Sequence, residues 1–83
     1  MIEIAAIEAR IRAGIPDATH VEVVDLRGGD HFQATVVSPS FAGLSRVAQH
    51  QAIYRALGEL INGPVHALAI ATHTPESWAR VLK

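Results

Sequence analysis

The chain has no cysteine. It can form no disulfide and no thiolate metal site from its own residues, and a small domain without disulfides points to a reducing compartment. The expected location is the cytoplasm, or an organelle stroma or matrix if a transit peptide has been removed. Aromatic residues are almost as scarce: Phe32, Phe41, Tyr54 and Trp78 are the whole set. The core must therefore be built from Ile, Leu, Val and Ala. No apolar run approaches the roughly 20 residues of a membrane-spanning helix. The opening stretch MIEIAAIEARIRAG lacks the basic start and long apolar run of a signal peptide. Charge of one sign is missing too. The net charge is −1, and seven basic residues, six of them Arg, are scattered without a block. That is a poor electrostatic footprint for tight nucleic-acid binding. Catalytic signatures are absent as well: there is no G-x-S-x-G, no glycine-rich phosphate loop, no H-E-x-x-H and no pair of carboxylates placed for acid–base work. An enzyme is not expected.

What remains is one apolar-rich domain over residues 1–83, 49% hydrophobic. Ile4, Ile7 and Ile11 recur at helical spacing and predict a helix over 2–13, closed by Gly14 as a C-terminal cap and by Pro16. THVEVVDL, 19–26, and HFQATVVS, 31–38, read as strands, joined by RGGD as a tight hairpin turn. Ser38 and Pro39 form a cap and first-turn pattern for one short helical turn. Ser45 caps a longer helix over 46–62, with an apolar stripe of Val47, Tyr54, Leu57 and Ile61, flanked by Ile53 and Leu60. Its exposed side carries Arg46, Gln49, Arg55 and Glu59. VHALAIAT, 65–72, is apolar enough for a covered strand. Thr74, Pro75 and Glu76 start a terminal helix that turns Trp78 and Val81 or Leu82 inward. The order is αββααβα. It predicts an α+β fold with a three-stranded mixed sheet and helices on one face, the third strand joining in parallel through a crossover.

The five histidines are the informative polar set, because imidazole binds transition metals through either nitrogen. His20 precedes a strand and reads as exposed. His50 sits on the edge of an apolar stripe and reads as a packing residue. His73 precedes a helix cap, where a hydrogen bond to a loop explains it. His66 stands apart. It is the first polar side chain after the Gly63–Pro64 turn and shares a strand face with Leu68 and Ile70. A rigid backbone with an open edge suits a metal ligand. His31 opens the second strand beside the hairpin turn, within reach of His66 if the strands pair suitably.

DHFQATVVSPSFAGLSRVAQHQAIYRAL followed by GPVHALAIATHTPESW resembles the BolA family, near its short-loop, IbaG-like branch. The resemblance spans essentially the whole chain. It implies a fold similar to a class II KH domain and partnership with a monothiol, CGFS-type glutaredoxin. In that heterodimer a 2Fe-2S cluster is shared, with thiolates from the glutaredoxin and from glutathione. The histidine of the family's HAL element maps onto His66. A second ligand, a Cys or His of the first hairpin in many members, has no counterpart in the RGGD turn; His31 is the nearest donor. A cysteine-free chain can lend imidazole to such a cluster but cannot hold one alone. Imidazole in place of thiolate raises the reduction potential and makes ligation sensitive to acid. The family's other implied activity is DNA-binding transcriptional regulation, for which Arg46, Gln49, His50 and Arg55 are the candidate residues; the expected GXXG loop is replaced by FAGLSR. The partners on this reading are the glutaredoxin, glutathione through it, DNA at low affinity and a second copy of the chain, with no membrane among them.

Overall fold

A computed structural model of the chain describes residues 3–28, 31–61, 65 and 67–82. Helix α1 spans Ile4–Gly14, strand β1 His20–Arg27, β2 His31–Val37, helix α2 Arg46–Leu57, β3 Ala67–His73 and α3 Pro75–Val81. Short 3-10 turns at Pro39–Phe41 and Gly58–Leu60 precede and follow α2. The sheet order is β1-β2-β3, with β1–β2 antiparallel and β2–β3 parallel. The αββααβα order and mixed sheet expected from the sequence are thus observed, the Pro39–Phe41 turn standing as the first of the two central helices.

Side-chain alternation divides the sheet. Val21, Val23, Phe32, Ala34 and Val36 are buried and face the helices, with Leu68 and Ile70 packed against them. Ile7 and Ile11 of α1 and Ile53 and Leu57 of α2 close the core from above, all with no exposed surface. No helix among the described residues is long and apolar enough to cross a membrane.

Local chemistry explains most boundaries. Ser38 caps the first 3-10 turn by accepting from the Ser40 N–H at 3.1 Å, and Ser45 caps α2 by accepting from the Ala48 N–H at 3.1 Å. Ser38 is fully buried, and its hydroxyl donates to Asp17 at 2.9 Å, so this connector is tied to the chain leaving α1. Thr74 and Ser77 form a reciprocal capping box at the start of α3.

Four expectations are corrected. The long helix stops at Leu57, five residues early, because Gly58 takes φ +56° and ends the α pattern; a glycine accepts that conformation where other residues resist it. The buried stripe of α2 is Ile53 and Leu57, whereas Val47 is 67% and Tyr54 45% exposed. Val47 and Tyr54 lie roughly 60–120° around the helix from that pair, at about 100° per residue. Gly14 is the last residue of α1 and does not adopt positive φ. A Cβ there would lie 2.5 Å from Ala56 Cβ, so Gly14 serves the close approach of α1 to α2. At the C-terminus, Val81 and Leu82 are exposed, and only Trp78 is half-buried.

Candidate functional site

His66, the residue the sequence marks most strongly, lies outside the described residues, as do Gly29 and Asp30 of the hairpin turn. Both of His66's chain neighbours are placed. Val65 is buried, bridges Ile61, and donates its N–H to the Leu60 carbonyl at 3.0 Å. Ala67 is the register partner of His31 across the parallel β2–β3 pair. Behind this segment, Arg10 of α1 donates to the Leu57 carbonyl at 3.1 Å and to Glu59 Oε1 at 3.1 Å. The clamp ties α1 to the end of α2, a few residues before Val65. Through its hydrogen bond and its charge, Arg10 holds the Glu59 carboxyl below its usual range, helped by a backbone hydrogen bond. Among the described residues no group of three or more His, Asp or Glu could hold a metal ion.

A second region gathers residues the sequence left apart. The N-terminal half of α2 and the end of β3 enclose a groove of two adjoining lobes. One, about 210 Å³, is lined by Arg46, His50, Ile70, Ala71, Thr72 and His73. The other, about 380 Å³, shares Arg46, Thr72 and His73 and adds Gln49, Thr74 and Ser77. Arg46, Gln49 and His50 continue, toward the helix start, the same side of α2 that buries Ile53 and Leu57. Polar side chains on a sheet-facing stripe cost packing, and they open the groove. Gln49 is fully occupied: its amide NH2 donates to the Phe41 carbonyl at 3.1 Å and the Leu44 carbonyl at 3.2 Å, while its oxygen accepts from the Thr72 hydroxyl. It therefore clamps the 41–44 connector and β3 to α2. Arg55 lies about 180° around the helix from Arg46 and lines neither lobe. The four residues considered for nucleic acid do not form one surface.

The third feature is a row across the opposite sheet face. His20, Val37 and His73 are register partners on three strands. Trp78 of α3 stacks on His20 at 5.2 Å and 22°, and meets His73 at 5.2 Å and 47°. Val37, between the two histidines, is fully buried, whereas Val24 on the same face is 45% exposed. His20 Nε2 is shielded without a hydrogen-bond partner among the described residues, with Glu22 Oε1 at 3.8 Å. His73 Nδ1 lies 3.4 Å from Ser77 Oγ. His20 and His73 thus share a structural role, anchoring α3, which their sequence positions did not disclose.

Comparison with known proteins agrees with this architecture. The family model for BolA-like proteins matches residues 9–77. The chain is 42% identical to human BolA-like protein 1 over 86 residues, covering 90% of this chain and 63% of that protein. It is 38% identical to the Escherichia coli acid stress protein IbaG over 72 residues, covering 84% and 86%. To the DNA-binding transcriptional regulator BolA of Haemophilus influenzae it is 36% identical over 64 residues, covering 77% and 62%. A BolA homologue from Coxiella burnetii superposes with a TM-score of 0.84 at 30% identity, covering 96% of this chain and all of that one. Yeast Fra2 superposes at 0.77 and 29% identity, covering 98% and 88%. The chain spans about three fifths of the human and Haemophilus relatives. It belongs to the BolA family, whose members are non-catalytic adaptors and regulators.

Proposed function

We propose that the chain is an adaptor that docks to a monothiol, CGFS-type glutaredoxin and lends imidazole to a shared 2Fe-2S cluster, in iron–sulfur cluster trafficking or iron homeostasis. His66 is the ligand of this chain, and His31 is the candidate second ligand. The thiolates come from the glutaredoxin and from glutathione. The observation that carries the reading is membership of the BolA family; the β2–β3 register adds only that His31 pairs with Ala67, the residue directly after His66 in sequence. The likeness to yeast Fra2 and to the BolA domain of Arabidopsis SufE1 supports it. The absence of cysteine from the chain accords with thiolates supplied by the partner. The short RGGD connection supports the IbaG-like branch. When bound, the cluster supplies electron transfer or is itself the cargo; the chain's own residues provide a neutral ligand and a docking surface.

The test is reconstitution of the purified chain with a CGFS glutaredoxin, glutathione, iron and sulfide, followed by visible absorption and circular dichroism. The heterodimer should give a spectrum distinct from the glutaredoxin homodimer, and His66→Ala should abolish the difference. An unchanged spectrum in His66→Ala removes the ligand assignment.

The second reading is DNA binding. The Arg46–His50 groove and the likeness to a DNA-binding regulator favour it. Gln49's occupied amide and Arg55's opposite placement weigh against it. A salt-titrated gel shift decides: no retardation even at low salt ends this reading. Sedimentation of the same free protein reports whether a homodimer forms.

A further inference from the structure

We infer that Arg46 and His50 form a receptor for a single oxyanion, the phosphate of a small hydroxylated phosphate monoester. The site is separate from the proposed cluster ligands and does not depend on them. Arg46 and His50 stand one turn apart on α2, and the end of β3, at Thr72 and His73, completes the lining of one cavity of about 210 Å³. Neither the Arg46 nor the His50 side chain makes a hydrogen bond or ion pair with another described residue. By contrast Arg10, elsewhere on the surface, is paired with Glu59. Among the described residues, no carboxylate lines either lobe. The two side chains occupy the sheet-facing side of α2, where apolar residues would add to the core. Gln49, the third polar residue on that side, is explained by its three hydrogen bonds; Arg46 and His50 have no such explanation within the fold.

The chemistry favours phosphate. A guanidinium presents a fork of N–H donors that matches phosphate oxygens, and an imidazole donates an N–H in either protonation state. Two donors one helical turn apart can each grip an oxygen of the same tetrahedral group. The adjoining lobe of about 380 Å³ is walled by Thr74, Ser77 and Gln49, and takes the hydroxylated remainder of the molecule. No Phe, Tyr or Trp lines either lobe, so the groove offers none of the aromatic stacking platforms typical of single-strand binding. That favours a small sugar-phosphate-like ligand over a nucleic-acid strand.

Titration of the 15N-labelled chain with inorganic phosphate, ribose 5-phosphate and a single-stranded oligonucleotide, followed by amide NMR, tests the inference. Phosphate and ribose 5-phosphate should shift the amides of Arg46, His50, Thr72 and His73 saturably, ribose 5-phosphate the more tightly. R46Q should weaken binding at least tenfold while leaving the amide spectrum folded, and H50A should weaken it severalfold. R55Q, altering a cation on the far side of the same helix, should bind as the unmodified chain does. The inference is overturned if no saturable shift occurs, if R55Q loses as much affinity as R46Q, or if only the oligonucleotide binds.

Discussion

Gly14 lacks a Cβ, and the contact between α1 and α2 is built on that lack. Replacing glycine by alanine inside a helix ordinarily stabilises by about 1 kcal/mol. Here the added methyl would meet Ala56 Cβ at 2.5 Å and its Cα at 2.9 Å, neither of which can swing away. Overpacking of this kind costs about 1–3 kcal/mol. Gly14→Ala is therefore expected to lower the urea midpoint, and adding Ala56→Gly should recover part of the loss. A Gly14→Ala chain as stable as the parent contradicts the close approach. The same scale separates the two apolar sides of α2. Ile53→Ala removes a side chain with no exposed surface and should cost about 2–5 kcal/mol. Val47→Ala touches a residue 67% exposed and should stay within about 0.5 kcal/mol. Equilibrium denaturation of the two variants checks which stripe faces the core.

At the scale of elements, caps and clamps decide where helices stop and how they dock. The Arg10–Glu59 pair joins α1 to the turn after α2. Because Arg10 holds the Glu59 carboxyl below its ordinary value, the folded chain binds that proton less readily than the unfolded chain. Its contribution to stability is complete above the ordinary carboxylate range and fades as pH falls through the lowered value. Both side chains are largely solvent-exposed, so salt screens the effect. Glu59→Gln should be less stable than the parent at neutral pH and low salt, and the gap should close in acid or high salt; urea midpoints against pH measure it. The capping box makes a separate prediction. Thr74→Ala should cost about 0.5–2 kcal/mol and loosen α3, seen as a change in Trp78 fluorescence at denaturant concentrations where the core remains folded. Most of this was legible in the sequence. Ser38, Ser45 and Thr74 announced their helix starts, and the strand alternation identified Phe32, Ala34 and Val36. The end of α2 was misread because NGP is the louder stop signal, although Gly58 already takes positive φ. The stripe was misread because Val47 and Tyr54 satisfy a seven-residue spacing without facing the sheet.

At the scale of the whole molecule, the two regions differ in how much of them a linear reading can reach. The proposed cluster ligand rests on a local motif, VHAL after a Gly-Pro turn, which a linear reading can single out. His31's place required the parallel register, which only the fold supplies. The groove was invisible because its walls come from α2 and from residues at the β3–α3 junction, and Gln49 and Thr72 meet only once β3 is laid beside β2. His20 and His73 likewise gained a role only when Trp78 was seen to pack on both. Among the described residues, the groove of α2 and the end of β3 gathers Arg46, His50 and Thr72 from segments far apart in the sequence. The most direct test of the central claim uses the reduced 2Fe-2S heterodimer, assembled with this chain carrying 15N-labelled histidine. Pulsed electron paramagnetic resonance should detect strong 15N hyperfine coupling to the cluster, lost in His66→Ala. Absence of any such coupling in the unmodified heterodimer would contradict imidazole ligation by this chain.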